Sequence, residues 1–357
     1  MKKITFPILF FVGLLLTGCA ATGSSSYIDS ASNSSNSSTE DNSEINSSQF
    51  DVDDYLHTFV NSVASMQSAS IELDILDFTS SSTIENISDV TNTQSMIYTA
   101  NGKINTNVYG LQEREFNDVK VETSMINLSA GVEVKTNNNG VKQSVGFEGK
   151  NMNNTMYIDH NNLYVNLDNN TITFLNQIGG EMLPSELLEN NKFFINDAFD
   201  IDLENIPIMG YLVMYFYGFS FNNFNNDLIE NIAMKNGELE MNFVINNNNI
   251  AEMLYYIESA QDNEFVMTKE QFIIYANQYL LNGVDVEINV NLGINPIDKA
   301  LTLNLVGEYS ITTIEDESNM NITQINDAEL NISMKMMFNN NVPSFPSFDD
   351  YVLIQIS

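Results

Sequence analysis

The chain changes its hydrophobic period twice. Ile4 to Leu16 is one apolar run, interrupted by Thr5, Pro7 and Gly13. Between Asp51 and Gln67 the apolar residues Leu56, Phe59, Val60 and Val63 recur at i, i+3, i+4 and i+7, a stripe that predicts a helix. Asp51, Asp53 and Asp54 crowd its first turn, where the helix dipole favours negative charge. Beyond it the period drops to two. Ile71, Leu73 and Ile75 alternate with Glu72 and Asp74, and Val119 and Val121 with Lys120 and Glu122. The same alternation carries Val132 and Val134, then Val141, Val145 and Phe147. It returns in Leu239 to Ile245, Val284 to Leu292, Leu301 to Leu305 and Leu330 to Met336. The intervening positions are mostly Asn, Asp, Glu, Ser and Thr, so one face is apolar and the other wet, as in an antiparallel sheet. Asn137-Asn138-Asn139-Gly140 and Asn236-Gly237 suit tight hairpins, and Met156–Asp159 with Leu163–Leu167 predicts another across His160-Asn161-Asn162.

Helices are expected between the strand groups. Pro184 to Asn190 is a short one, and Ile250, Met253, Leu254 and Ile257 form a second apolar stripe. Thr268-Lys269-Glu270-Gln271 reads as a capping box opening a helix through Phe272, Ile273, Ala276, Tyr279 and Leu280, with Gly283 as its stop. No Pro/Gly-rich linker divides the folded part, so residues 50–357 are read as one α+β domain.

The N-terminus reads as an address. Lys2 and Lys3 precede an apolar run too short for a typical membrane span, the pattern of a secretory signal. Leu16-Thr17-Gly18-Cys19 resembles a bacterial lipobox, which implies cleavage after residue 18 and lipidation of Cys19. A plain signal peptide or an uncleaved anchor with an incidental Cys is the alternative. Ala20 to Ser48 is dominated by Ser and Asn, so residues 19–49 are expected to be a disordered tether.

A helix after a lipid tether, long alternating strands and inserted helices resemble the LolA/LolB and LppX/LprG superfamily of lipoprotein and lipid carriers. Met156-Tyr157-Ile158-Asp159 followed by Asn162-Leu163-Tyr164-Val165-Asn166-Leu167 is the stretch most similar to that group. The resemblance implies a strongly bent antiparallel β-sheet, a half-barrel, with helices packed on its concave face and acyl chains held between them. It implies no catalytic residues.

Composition narrows the functions. The 357 residues carry 47 acidic and 13 basic side chains, a net charge of −34. That excludes the basic footprint of a nucleic-acid binder. Cys19 is the one cysteine, so neither an internal disulfide nor a cysteine zinc site is available. His57 and His160 stand far apart and match no zinc-hydrolase spacing. No serine elbow, P-loop or dinucleotide fingerprint is present, and the single Arg114 argues against an arginine clamp. Asp197, Asp200, Asp202 and Glu204 form one acidic cluster, and Glu315, Asp316 and Glu317 another. Neither has the glycine-containing spacing of a twelve-residue calcium loop. The absence of Trp, which would stack a sugar, argues against a carbohydrate enzyme, and an extracellular hydrolase is the least supported reading. No metal or cofactor is expected.

The most suggestive stretch is Ile206 to Phe221, which carries no charge. Pro207, Gly210 and Gly218 interrupt it, so it is too short and broken to span a bilayer. It reads either as a buried helix plugging the sheet or as a cavity wall. Met209, Leu212, Val213, Phe216, Tyr217 and Phe219 are the candidate ligand-facing residues, because adaptable Met and aromatic side chains suit acyl chains. The expectation is a non-enzymatic lipoprotein on the extracytoplasmic face of the cell membrane, held by the lipid on Cys19 and binding or shuttling a lipid or other amphipathic ligand. The alternative is a structural or interaction lipoprotein of the envelope with a filled core.

Overall fold

The computed structural model describes residues 52–86, 89–179, 190–198, 207–210, 229–235, 237–261, 266–317 and 320–354. Among them twelve strands form one open sheet. The first half contributes β1 (Ser68–Asn86), β2 (Asp89–Tyr109), β3 (Lys120–Asn138), β4 (Val141–Asp159), β5 (Asn162–Asn166) and β6 (Lys192–Ile195). The second contributes β7 (Ile229–Lys235), β8 (Glu238–Asn246), β9 (Val284–Asn295), β10 (Ala300–Glu317), β11 (Met320–Asn339) and β12 (Val352–Leu353). The helices are α1 (Val52–Val63), α2 (Asn169–Gly179), α3 (Asn247–Gln261) and α4 (Lys269–Tyr275). The spatial order is β12-β6-β5-β4-β3-β2-β1-β11-β10-β9-β8-β7. Thus β1 joins the two halves by pairing β2 on one side and β11 on the other.

Every ladder but one is antiparallel; β12 runs parallel to β6, so the sheet is mixed rather than purely antiparallel. The reason lies in the tail. Residues 340–351 cross the ends of β2, β4 and β5, where Phe345 meets Tyr109 and Tyr157 and Phe348 stacks on Tyr164 at 3.9 Å. The chain then reaches the far side of β6 and turns along it, and the Ile354 N–H donates to Phe194 O.

The alternation read in the sequence is real. Along β9, Asp285, Glu287 and Asn289 are exposed, while Val290 is buried and Val284, Val286 and Ile288 are half-buried. Cross-strand register carries this onto one face: Val290 stands opposite Phe243 and Leu305, and Leu305 opposite Ile332. The α1 stripe of Leu56, Phe59, Val60 and Val63 is buried throughout. The β3–β4 hairpin turns at Asn139 and Gly140, both with positive φ, and β4–β5 turns at His160 and Asn161, also with positive φ. The latter is a two-residue turn, with Asn162 already paired to Asp159.

Other elements differ from expectation. All of β2 escapes the periodicity, because Thr, Asn and Ser occupy both of its faces. The helix expected from Thr268 to Gly283 begins with the predicted reciprocal capping box. It then widens into a π turn over Ala276–Leu280, in which the Leu281 N–H reaches Ala276 O at 2.8 Å. Gly283 ends it at φ +77°, where an added Cβ would sit 2.3 Å from Thr312 O. The helix expected at Pro184–Asn190 lies outside the described residues except for Asn190.

Asp168 anchors α2, which was not anticipated. Its Oδ1 accepts the Thr171 N–H at 2.7 Å and its Oδ2 the Asn153 N–H at 2.7 Å, tying the helix start to β4. Burial pushes the Asp168 carboxyl up, but these donors outweigh it and hold it below the usual carboxylate range.

Candidate functional site

The apolar face of the sheet is the first candidate. Helix α1 lies on it, with Phe59 fully buried and edge-on to Phe338 at 6.0 Å. Its cluster gathers Ala69, Phe338, Leu301, Ile294, Leu239 and Met241, so one helix covers neighbouring ends of five strands, β1, β11, β10, β9 and β8. Polar contacts fasten both ends. Tyr55 Oη donates to Gly237 O at 2.6 Å, and Gln112 Nε2 donates to Ala64 O at 2.7 Å and Met66 O at 3.0 Å. The carbonyls of the turn that follows the helix thereby find partners.

Met209 joins this cluster at 2% exposure, and its N–H donates to Leu111 O at 2.9 Å. Of the six cavity candidates, it is the one the structure describes. Leu212, Val213, Phe216, Tyr217 and Phe219 lie outside the described residues, as does Cys19.

Further along the same face, a second cluster forms without α1. Val290, Leu305 and Leu330 are its centre, with Phe78, Phe243, Ile245, Ile288, Leu303 and Ile332 around them. The apolar surface of the sheet is therefore longer than the helix that covers its end.

The opposite face carries a feature that the sequence reading missed. Register sets Glu308 directly opposite Glu287 on β9 and opposite Glu329 on β11, three glutamates in one row. Asp285, Ser310 and Asp327 form the next row. These residues line a depression of about 460 Å³. A recurrent Glu in three alternating strands was visible in the sequence, but their alignment was not. Among the described residues no group of three or more His, Cys, Asp or Glu is placed to hold a metal ion.

The remaining candidates disperse. His160 lies in the β4–β5 turn with Nδ1 2.8 Å from Asp159 Oδ1, and the Lys120 ammonium pairs with the same oxygen. His57 lies on α1, in another part of the chain. Asp197 sits in a turn and its N–H donates to Asn162 Oδ1; Asp200, Asp202 and Glu204 lie outside the described residues. The backbone of Glu315, Asp316 and Glu317 closes β10. The aromatic tail is internally satisfied. Burial, with Tyr157 and Asp350 nearby, pushes the Tyr351 phenol up to about 12, and the hydrogen bond from Lys192 holds the Asp350 carboxyl below its usual range.

Among the described residues no helix is long and apolar enough to cross a membrane. Compared with known proteins, the chain matches no family model and no curated sequence.

Proposed function

We propose that this protein is a non-enzymatic lipoprotein of the extracytoplasmic membrane face, lipidated at Cys19, that binds or shuttles a lipid or other amphipathic ligand. In this reading the sheet is a bent half-barrel, and the helices sit on its concave, apolar face. The observation that supports it is the length of that face. Helix α1 covers one end, and the cluster around Val290, Leu305 and Leu330 continues beyond it. Met209, within the uncharged stretch, is buried in the α1 cluster on this same face, next to Leu111. An acyl chain there would gain about 0.8 kcal/mol for each buried CH₂. The rival reading, a structural envelope lipoprotein with a filled core, is favoured by the tight burial of Val290, Leu305 and Leu330, at 4–7% exposure.

Two measurements test the proposal. Labelled palmitate is expected to enter the wild type and not Cys19→Ser. The purified protein is expected to bind a fluorescent fatty acid saturably, and Phe216→Asp or Tyr217→Asp to weaken binding more than Asn138→Asp, since a carboxylate in the wall disfavours an acyl chain. A folded wild type without saturable binding removes the carrier reading and leaves the structural one.

A further inference from the structure

The helices at the other end of the strands carry an apolar surface with no role in the core. The β7–β8 turn lies at the α1 end of the sheet, where Tyr55 meets Gly237. Strand β8 leads away from it for nine residues, about 30 Å at 3.3 Å per residue, before α3 begins. There α4 packs onto α3 through Phe272 and Ala276, which meet Ala251, Leu254 and Tyr255. Lys269 Nζ donates to the buried Glu252 carboxylate, a charge-assisted bond that locks the pair.

The outer side of α4 is different. Val266 is 91% exposed, Ile274 66%, Tyr279 64% and Leu280 51%, with Met267 and Tyr275 also exposed. Val266 and Met267 precede the Thr268 cap, so the helical part of this surface is Ile274 and Tyr275, continued by Tyr279 and Leu280 in the π turn. The π turn adds a residue to the last turn, which leaves both Tyr279 and Leu280 facing out, and the Tyr275 and Tyr279 rings sit 5.3 Å apart. Elsewhere Leu76, Ile297 and Val342 are exposed singly, as is common on protein surfaces.

We infer that this face of α4 docks on the uncharged surface of a lipid bilayer, orienting the domain above the membrane. The inference rests on the membrane-anchored reading above. Three observations choose the occupant. First, no charged residue occurs from Gln271 to Val284, fourteen positions that hold Ile274, Tyr275, Tyr279 and Leu280, in a chain of net charge −34; Lys269 and Glu270 separate them from Val266 and Met267. A second copy brought to this face would set two strongly anionic bodies against each other, whereas zwitterionic lipid imposes no such repulsion. Second, two tyrosines beside Ile, Leu, Val and Met are the side chains that settle at a membrane interface, with ring buried and hydroxyl wet. Third, the 32 residues from Ala20 to Asp51 join Cys19 to α1. Extended, they reach up to about 110 Å, several times the length of β8. A lipid on Cys19 therefore leaves the far end free to turn towards the bilayer, and tethering raises the local concentration of a weak docking face.

The chain has no Trp, so one introduced Trp reports its own surroundings. Full-length lipidated protein carrying Tyr279→Trp is reconstituted in phosphatidylcholine vesicles containing brominated lipid; Tyr98→Trp, on β2, is the comparison. The expected result is a blue shift and strong quenching for Tyr279→Trp, neither for Tyr98→Trp, and loss of both on adding Ile274→Asp, with an unchanged melting temperature. Equal quenching at both reporters, or none at either, overturns the inference. So does a blue shift that grows with protein concentration without vesicles, which assigns the face to a second copy. The acyl mass on Cys19 and saturable fatty-acid binding are read on the same preparation, so failure of the anchor or of cargo binding is distinguished from failure of docking.

Discussion

Glu308 is held against its own kind. It stands on β10 directly opposite Glu287 and Glu329, and no lysine or arginine occupies their row. Side chains directly opposite in an antiparallel pair have Cβ atoms about 5 Å apart. Two unit charges at that separation in water repel by about 0.8 kcal/mol, and a Debye length of about 8 Å at physiological ionic strength removes roughly half of that. Glu308 has two such neighbours, so Glu308→Gln is expected to stabilise the fold by about 1 kcal/mol, keeping the shape of the side chain while removing both repulsions. Urea unfolding suits the test, because urea adds no ions; the midpoint should rise with an unchanged slope. At about 1 M salt, with a Debye length of about 3 Å, the gain should fall to a few tenths of a kcal/mol. Glu115→Gln, an exposed site in the β2–β3 connection, removes the same charge without opposing glutamates and should shift the midpoint little. A loss of stability, a gain that ignores salt, or an equal gain at Glu115 would refute the row as the cause.

Two more predictions follow from the helices. Phe59→Ala empties the centre of the α1 cluster and should cost about 3–5 kcal/mol in urea unfolding, the range for a fully buried Phe; a cost below about 1 kcal/mol would mean that α1 does not hold the sheet. Asp168→Ala removes the α2 cap and should cost about 1 kcal/mol at neutral pH. Because the folded carboxyl is held below its ordinary value, the contribution is present above that value, about 3.9, and is lost as pH falls through the lower folded one. The difference between wild type and Asp168→Ala should thus be constant near neutrality and close in acid, and a gap that persists at about pH 2 would rule out the ionised cap.

Several elements were legible because their signals are local. Leu56, Phe59, Val60 and Val63 mark a helical stripe within eight residues. Val284 to Leu292 mark a one-faced strand within nine, and Thr268 with Gln271 writes its own cap. The strand β2 was illegible for the converse reason. Polar residues such as Asn105 and Thr106 occupy both faces, and it forms because β1 and β3 supply partners for its backbone. Of the uncharged run from Ile206 to Phe221, Met209 is described, and it is buried beside Leu111.

By itself the sequence determined which residues seek a helix or a strand and which face of each seeks burial, because those preferences are set by neighbours a few positions away. It also determined the strong negative charge, −34 over 357 residues. Only the tertiary structure decided which strands are neighbours. Ser68 pairs with Asn339, and Val352 runs beside Phe193, matches that rest on burial shared between distant segments. Register within those pairs brought Glu287, Glu308 and Glu329 into one row, and the packing of α4 on α3 turned Ile274 and Tyr279 outward. Alternation fixes a face for each strand separately; alignment across strands is a property of the whole sheet, set where the apolar ladders of many strands bury best together.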